Sequence, residues 1–151
     1  MVGHVCDFGI AKLLGDEESV VQTKTLGTFG YIAPEYGLEG LISTSSDVYS
    51  FGIILMETFT KRKPKDEMFT EELNLRRWIQ ESSPDSVIQV IDTNLRHPED
   101  ILVQRKIECI SSILQLGLSC TTDASEERIN MKEALGALQK IKLQFIKDIT
   151  P

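Results

Sequence analysis

Residues Thr44 to Phe59 read TSSDVYSFGIILMETF, and this stretch decides the fold. Val48, Tyr49, Phe51, Ile53, Ile54, Leu55, Met56 and Phe59 leave almost no polar side to a helix, so the spacing predicts a helix buried all round, the axle of a core. Thr44 and Asp47 have capping-box spacing, with Thr44 placed to accept a backbone N–H and Asp47 to reach back. The apolar run Phe51 to Met56 is far shorter than the roughly 20 residues a membrane span needs.

Working outward, Pro34 opens a short helix through Tyr36 and Leu38, broken by Gly37 and Gly40. Before it, Gly15 to Gly30 has loop composition, with three acidic residues, several Ser and Thr, and two glycines. Val2 to Leu14 reads as a short strand and a turn of helix, and strand alternation is confined to that N-terminal end. Beyond the axle, Pro64 ends the helix. Leu73, Leu75, Trp78 and Ile79 repeat at helical spacing until Ser83-Pro84 breaks the pattern. Val87 to Ile91 supplies another turn or two, and Asn94 to Pro98 a turn. A long helix is expected from Glu99 to Cys120, with Leu102, Ile107, Ile110, Ile113, Leu114 and Leu118 on one face. Asn130 and Glu133 then have capping spacing ahead of an amphipathic helix carrying Leu135, Leu138, Ile141, Phe145 and Ile149. The expected class is mainly α.

The chain has 151 residues, enough for one domain, and a net charge of -7, which argues against a nucleic-acid footprint. Lys61, Arg62, Lys63 and Lys65 form one local basic group, read as a solvated loop. Cys6, Cys109 and Cys120 have neither metal-ligand spacing nor an even count, which favours reduced thiols. His4 and Cys6 are too few for a metal site.

Asp7-Phe8-Gly9 alone is weak. It is followed by Gly27-Thr28-Phe29-Gly30-Tyr31-Ile32-Ala33-Pro34-Glu35-Tyr36, by Ser46-Asp47-Val48-Tyr49-Ser50-Phe51-Gly52, and by Glu127-Arg128. In that order and spacing the chain resembles the C-terminal lobe of eukaryotic protein kinases, closest to plant leucine-rich-repeat receptor-like serine/threonine kinases. The resemblance spans the whole chain. It implies an activation segment over residues 1–35 and a helical lobe over 36–151, with the N-lobe and catalytic loop missing.

The resemblance also implies roles. Asp7 would ligate Mg²⁺ bridging the phosphates of ATP, Phe8 would be the apolar plug and Gly9 the flexible joint. Thr28 would position the substrate loop; Ser19, Thr23 and Thr25 are candidate phosphosites. Glu35 would pair with Arg128, and Asp47 would accept backbone N–H groups from the catalytic loop. Relatives often carry Pro shortly before the closing Glu-Arg, where Ser125 stands here; a looser loop is expected.

Among the 151 residues there is no glycine-rich phosphate loop, no ATP-binding lysine and no catalytic base. The chain alone is therefore expected to be inactive, to bind neither ATP nor Mg²⁺, and to be marginally stable, with apolar surface and Asp47 left uncovered. In full-length form the family transfers phosphoryl groups from ATP to protein Ser or Thr beneath a membrane receptor, on the cytosolic side of the plasma membrane. Protein substrates or co-receptor kinases are the partners this implies. The alternatives are a non-catalytic kinase-lobe binding module and a truncated gene product.

Overall fold

The computed structural model describes residues 20–22, 28–70 and 72–150. Its elements run β1 (Val20–Gln22), α1 (Pro34–Glu39), β2 (Leu41–Ser43), α2 (Thr44–Thr60), α3 (Leu75–Glu81), α4 (Ser83–Val90), a 3-10 turn at Thr93–Leu95, α5 (Val103–Cys120) and α6 (Met131–Ile149). β1 and β2 pair antiparallel, Val21 opposite Ile42. Neither strand has enough length for alternation to be visible in the sequence, which is why the loop reading of Gly15 to Gly30 missed β1.

The axle helix starts one residue earlier than its capping spacing suggested. Ser43, extended at the end of β2, is the cap, and its hydroxyl accepts from the Ser46 backbone N–H at 3.2 Å. Thr44 is already helical, and the box between Thr44 and Asp47 does not form. The strand supplies the cap with the extended backbone that an N-cap requires.

Two apolar clusters meet on α2. Ile53 and Met56 pack with Leu75, Ile79, Val90, Ile91 and Leu114 on one side, joined by Trp78 and Phe59. Val48 packs with Leu116, Cys120 and Ala134 on the other. The contact between α2 and α5 is close because two glycines face each other. A Cβ on Gly52 would lie 2.7 Å from the Cys120 Cβ and 2.8 Å from the Gly117 carbonyl oxygen, and one on Gly117 would lie 2.9 Å from Met56 Cγ.

The expectation of burial all round is corrected. Asp47, Ile54 and Thr58 are exposed, Ile54 at 52%. They lie seven and four residues apart, on one side of the helix. α3 and α5 cover one face of α2, and α5 with α6 another; among the described residues nothing covers the third.

Other boundaries follow local chemistry. α1 passes through Gly37 and ends at Gly40, whose φ of 69° suits a residue without a Cβ. Ser83-Pro84 breaks α3 and also begins α4, since a first turn does not need the N–H that proline lacks. α5 begins at Val103 rather than Glu99 because Asp100 turns the chain first, accepting from the Leu102 N–H at 2.9 Å. On α6 the expected box is present in both directions: Glu133 N–H donates to Asn130 and Asn130 N–H to Glu133.

Candidate functional site

Asp7, Phe8, Gly9, Ser19, Thr23 and Thr25 lie outside the described residues. Thr28, Glu35, Asp47 and Arg128 lie within them, and the structure brings Glu35 and Arg128 together.

Arg128 sits in the loop between α5 and α6 with its side chain fully buried. Its guanidinium grips the Glu35 carboxylate with both arms, Nη1 to Oε1 at 2.7 Å and Nη2 to Oε2 at 3.0 Å. Its remaining N–H groups donate to backbone: Nε to the Thr122 carbonyl at 2.9 Å, Nη1 to Ser45 at 2.8 Å, Nη2 to Asp123 at 3.3 Å. The Tyr49 ring lies against the guanidinium, 5.1 Å from its centroid. A buried charge is tolerated when every donor has an acceptor, and this fork meets that condition.

Glu35 is equally provided for. Burial opposes its charge, but the Arg128 fork, a backbone N–H and the Ser46 hydroxyl at 3.2 Å outweigh it and hold the carboxyl below its usual range. Three elements are thereby joined: α1 through Glu35, the first turn of α2 through Ser45 and Ser46, and the loop before α6. The Ser45 hydroxyl also donates to the Ser125 carbonyl at 3.1 Å. Ser125 is thus tied by its backbone, and the looser loop expected from the absence of proline is countered there.

A second junction lies one turn further along. The Tyr31 hydroxyl donates to the Glu57 carboxylate, and the Ser50 hydroxyl donates to the Tyr31 carbonyl at 2.7 Å. Burial and then the negative Glu57 push the Tyr31 phenol up to about 12. The Thr28 carbonyl accepts from the Tyr31 N–H at 3.1 Å, so the exposed Thr28 side chain leaves from a held turn. Tyr31, Glu57, Ser45 and Ser46 were not singled out from sequence. Glu57 carried a signal, a carboxylate inside an apolar helix that needs a partner; the serines carried none beyond helix-cap composition.

These motifs and this helical lobe can be compared with known proteins. The family model for protein tyrosine and serine/threonine kinases matches residues 1–138. The chain belongs to the protein kinase family. Among curated relatives it is 37% identical to receptor kinase-like protein Xa21 of Oryza sativa subsp. japonica over 94% of the chain, and 33% identical over 97% of the chain to a probable LRR receptor-like serine/threonine-protein kinase of Arabidopsis thaliana. The chain spans 15% of the length of each. A solved structure, the pseudokinase domain of BIR2, described as an immune regulator of the RLK/Pelle family, superposes with a TM-score of 0.66 at 30% identity, over 80% of this chain and 35% of that one.

Within this kinase lobe, Asp47 is the odd member. It stays exposed to solvent, yet the protein packed to one side removes enough water to push its carboxyl up. No hydrogen bond to its side chain is present among the described residues. Nor, among those residues, is any group of three His, Cys, Asp or Glu side chains placed to hold a metal. The described site fixes loops in place; the candidate Mg²⁺ ligand, Asp7, lies outside it.

Proposed function

We propose that residues 1–35 are the activation segment and 36–151 the helical C-lobe of a receptor-like serine/threonine protein kinase. The complete kinase moves the γ-phosphoryl group of ATP to a protein hydroxyl, releasing ADP while a base takes the hydroxyl proton. The observation carrying this reading is the fully satisfied fork from Arg128 to Glu35, which anchors the end of the segment to the lobe, in a chain whose relatives are receptor-like kinases. Asp7 would be the Mg²⁺ ligand when nucleotide is bound, Phe8 and Gly9 its switchable neighbours, and Thr28 a substrate-loop residue. Ser19, Thr23 and Thr25 are the candidate phosphosites. The kinase works on protein substrates or co-receptor kinases at the cytosolic face of the plasma membrane. No helix among the described residues is long and apolar enough to cross a membrane.

By themselves the 151 residues supply neither a phosphate loop nor a base, so the isolated chain does not transfer phosphoryl groups. The test uses the chain alone and the same chain joined behind the N-lobe and catalytic loop of a receptor-like relative, each given radiolabelled ATP and a protein substrate. Labelling by the joined form only, lost on Asp7→Ala, is expected. Labelling by the chain alone that Asp7→Ala abolishes would overturn the claim of inactivity.

A second reading, a docking module, is favoured by apolar side chains left in solvent on α2 and α6: Ile54 at 52%, Leu135 at 54% and Ile146 at 45% exposed. In-frame catalytic-loop codons upstream of Met1 favour the first reading, and an immediate stop codon the second.

A further inference from the structure

Between α3, α4 and α5 the surface opens into a hollow of about 340 Å³. Ile79, Val87 and Leu118 give it apolar walls, and Gln115 and Arg76 give it polar ones. Among the described residues that line it, Arg76 is the charged one.

Arg76 is incompletely partnered. Its side chain is only 23% exposed, yet its Nε–H is buried with no acceptor. Nη1 donates to Gln80 at 3.2 Å and stands 4.0 Å from the Asp123 carboxylate, beyond the 2.7–2.9 Å typical of a charge-assisted hydrogen bond. A buried donor of a charged group left without an acceptor is unfavourable, so this one is poised to take one up. Arg128, on the far side of the same loop, makes the contrast plain: there every N–H is satisfied from within the chain.

The geometry points to a binding site for a carboxylate on a short apolar stem. The carboxylate accepts from Arg76 Nε–H, with the Gln115 side-chain amide as a second donor, and the stem lies along Ile79, Val87 and Leu118. A monoanion fits better than phosphate because the hollow offers a single positive charge, already drawn toward Asp123. The volume falls at the small end of the range for ligand sites. This inference is independent of the kinase chemistry.

The test follows the arginine Nε–H resonances of the 151-residue chain by NMR during titration with hexanoate, with hexanol and inorganic phosphate as controls. Hexanoate should move the Arg76 resonance saturably. Arg76→Gln should weaken binding at least about tenfold, the loss expected when a charged hydrogen-bond donor is removed. Asp123→Asn should act in the opposite direction and tighten binding, which keeps the test decisive even where Arg76→Gln folds poorly. A blocked Leu-Glu-Leu peptide tells the sources apart: its binding assigns the carboxylate to a partner's acidic side chain, and hexanoate binding without it to a free small acid. The site is overturned if neither hexanoate nor the peptide shifts Arg76 at up to about 50 mM, weaker than any useful affinity. Equal response to hexanol or phosphate, or no weakening in a folded Arg76→Gln chain, overturns it too.

Discussion

Arg128 and Glu35, 93 residues apart in sequence, meet in a two-armed ion pair that closes the helical lobe over the end of its long N-terminal segment. Because the guanidinium also holds the carbonyls of Ser45, Thr122 and Asp123, its removal orphans a carboxylate and three backbone acceptors together. Arg128→Ala should therefore cost about 3–5 kcal/mol in urea unfolding, the usual penalty for stranding one member of a buried pair. Arg128→Lys should recover less than half, since a compact ammonium cannot span the fork. A loss under about 1 kcal/mol for the alanine variant would place the pair with weak surface bridges instead.

The same pair gives stability an acid limb. Glu35 has a lowered carboxyl pKa in the folded state, so its contribution is present above the ordinary glutamate value and is lost as pH falls through the lowered folded value. The urea midpoint should drop on acidification more steeply in the native chain than in Glu35→Gln. Asp47 has the opposite sign: its raised pKa favours the neutral form, so its contribution improves as pH falls. Equal acid slopes in the native and Glu35→Gln chains would contradict the assignment.

Tyr31 sets an alkaline feature. Its phenol, pushed up to about 12, contributes stability that is fully present below the ordinary tyrosine range and lost as pH rises through that value. Ultraviolet titration should show a late tyrosinate transition that disappears in Tyr31→Phe. Replacing Glu57 by Gln should move that transition toward lower pH.

Two glycines predict opposite outcomes. Gly52→Ala places a methyl 2.7 Å from Cys120 and Thr121, and overpacking of this kind should destabilise by about 1–3 kcal/mol or more. Gly136→Ala, within α6 and with nothing inside 4 Å, should stabilise by about 0.5–1 kcal/mol through helix propensity alone. Thermal unfolding of the two variants checks both signs.

The position of the α2 cap is separable by mutation. Ser43→Ala should cost about 0.5–2 kcal/mol, as expected for loss of an N-cap side chain. Thr44→Ala, at the first helical position and exposed, should be near neutral in the same unfolding assay. The reverse ranking would restore the cap at Thr44.

The sequence by itself determined that the chain is helical, where most of its helices run, and to which family its motifs belong. Apolar spacing of three and four, and the Asn130 and Glu133 box, are local properties that short-range geometry enforces. It also named Glu35 and Arg128 as partners, though by resemblance rather than by any local signal. Only the tertiary structure decided what those two residues satisfy besides each other, that Ser43 and not Thr44 caps the axle, and that Ile54 stays in solvent on a helix whose composition looks buried on every side. It alone decided that Arg76 keeps an idle N–H while Arg128 keeps none. Periodicity records which side chains are apolar, but acceptors and covering surfaces come from segments distant along the chain, and their arrival is settled by packing.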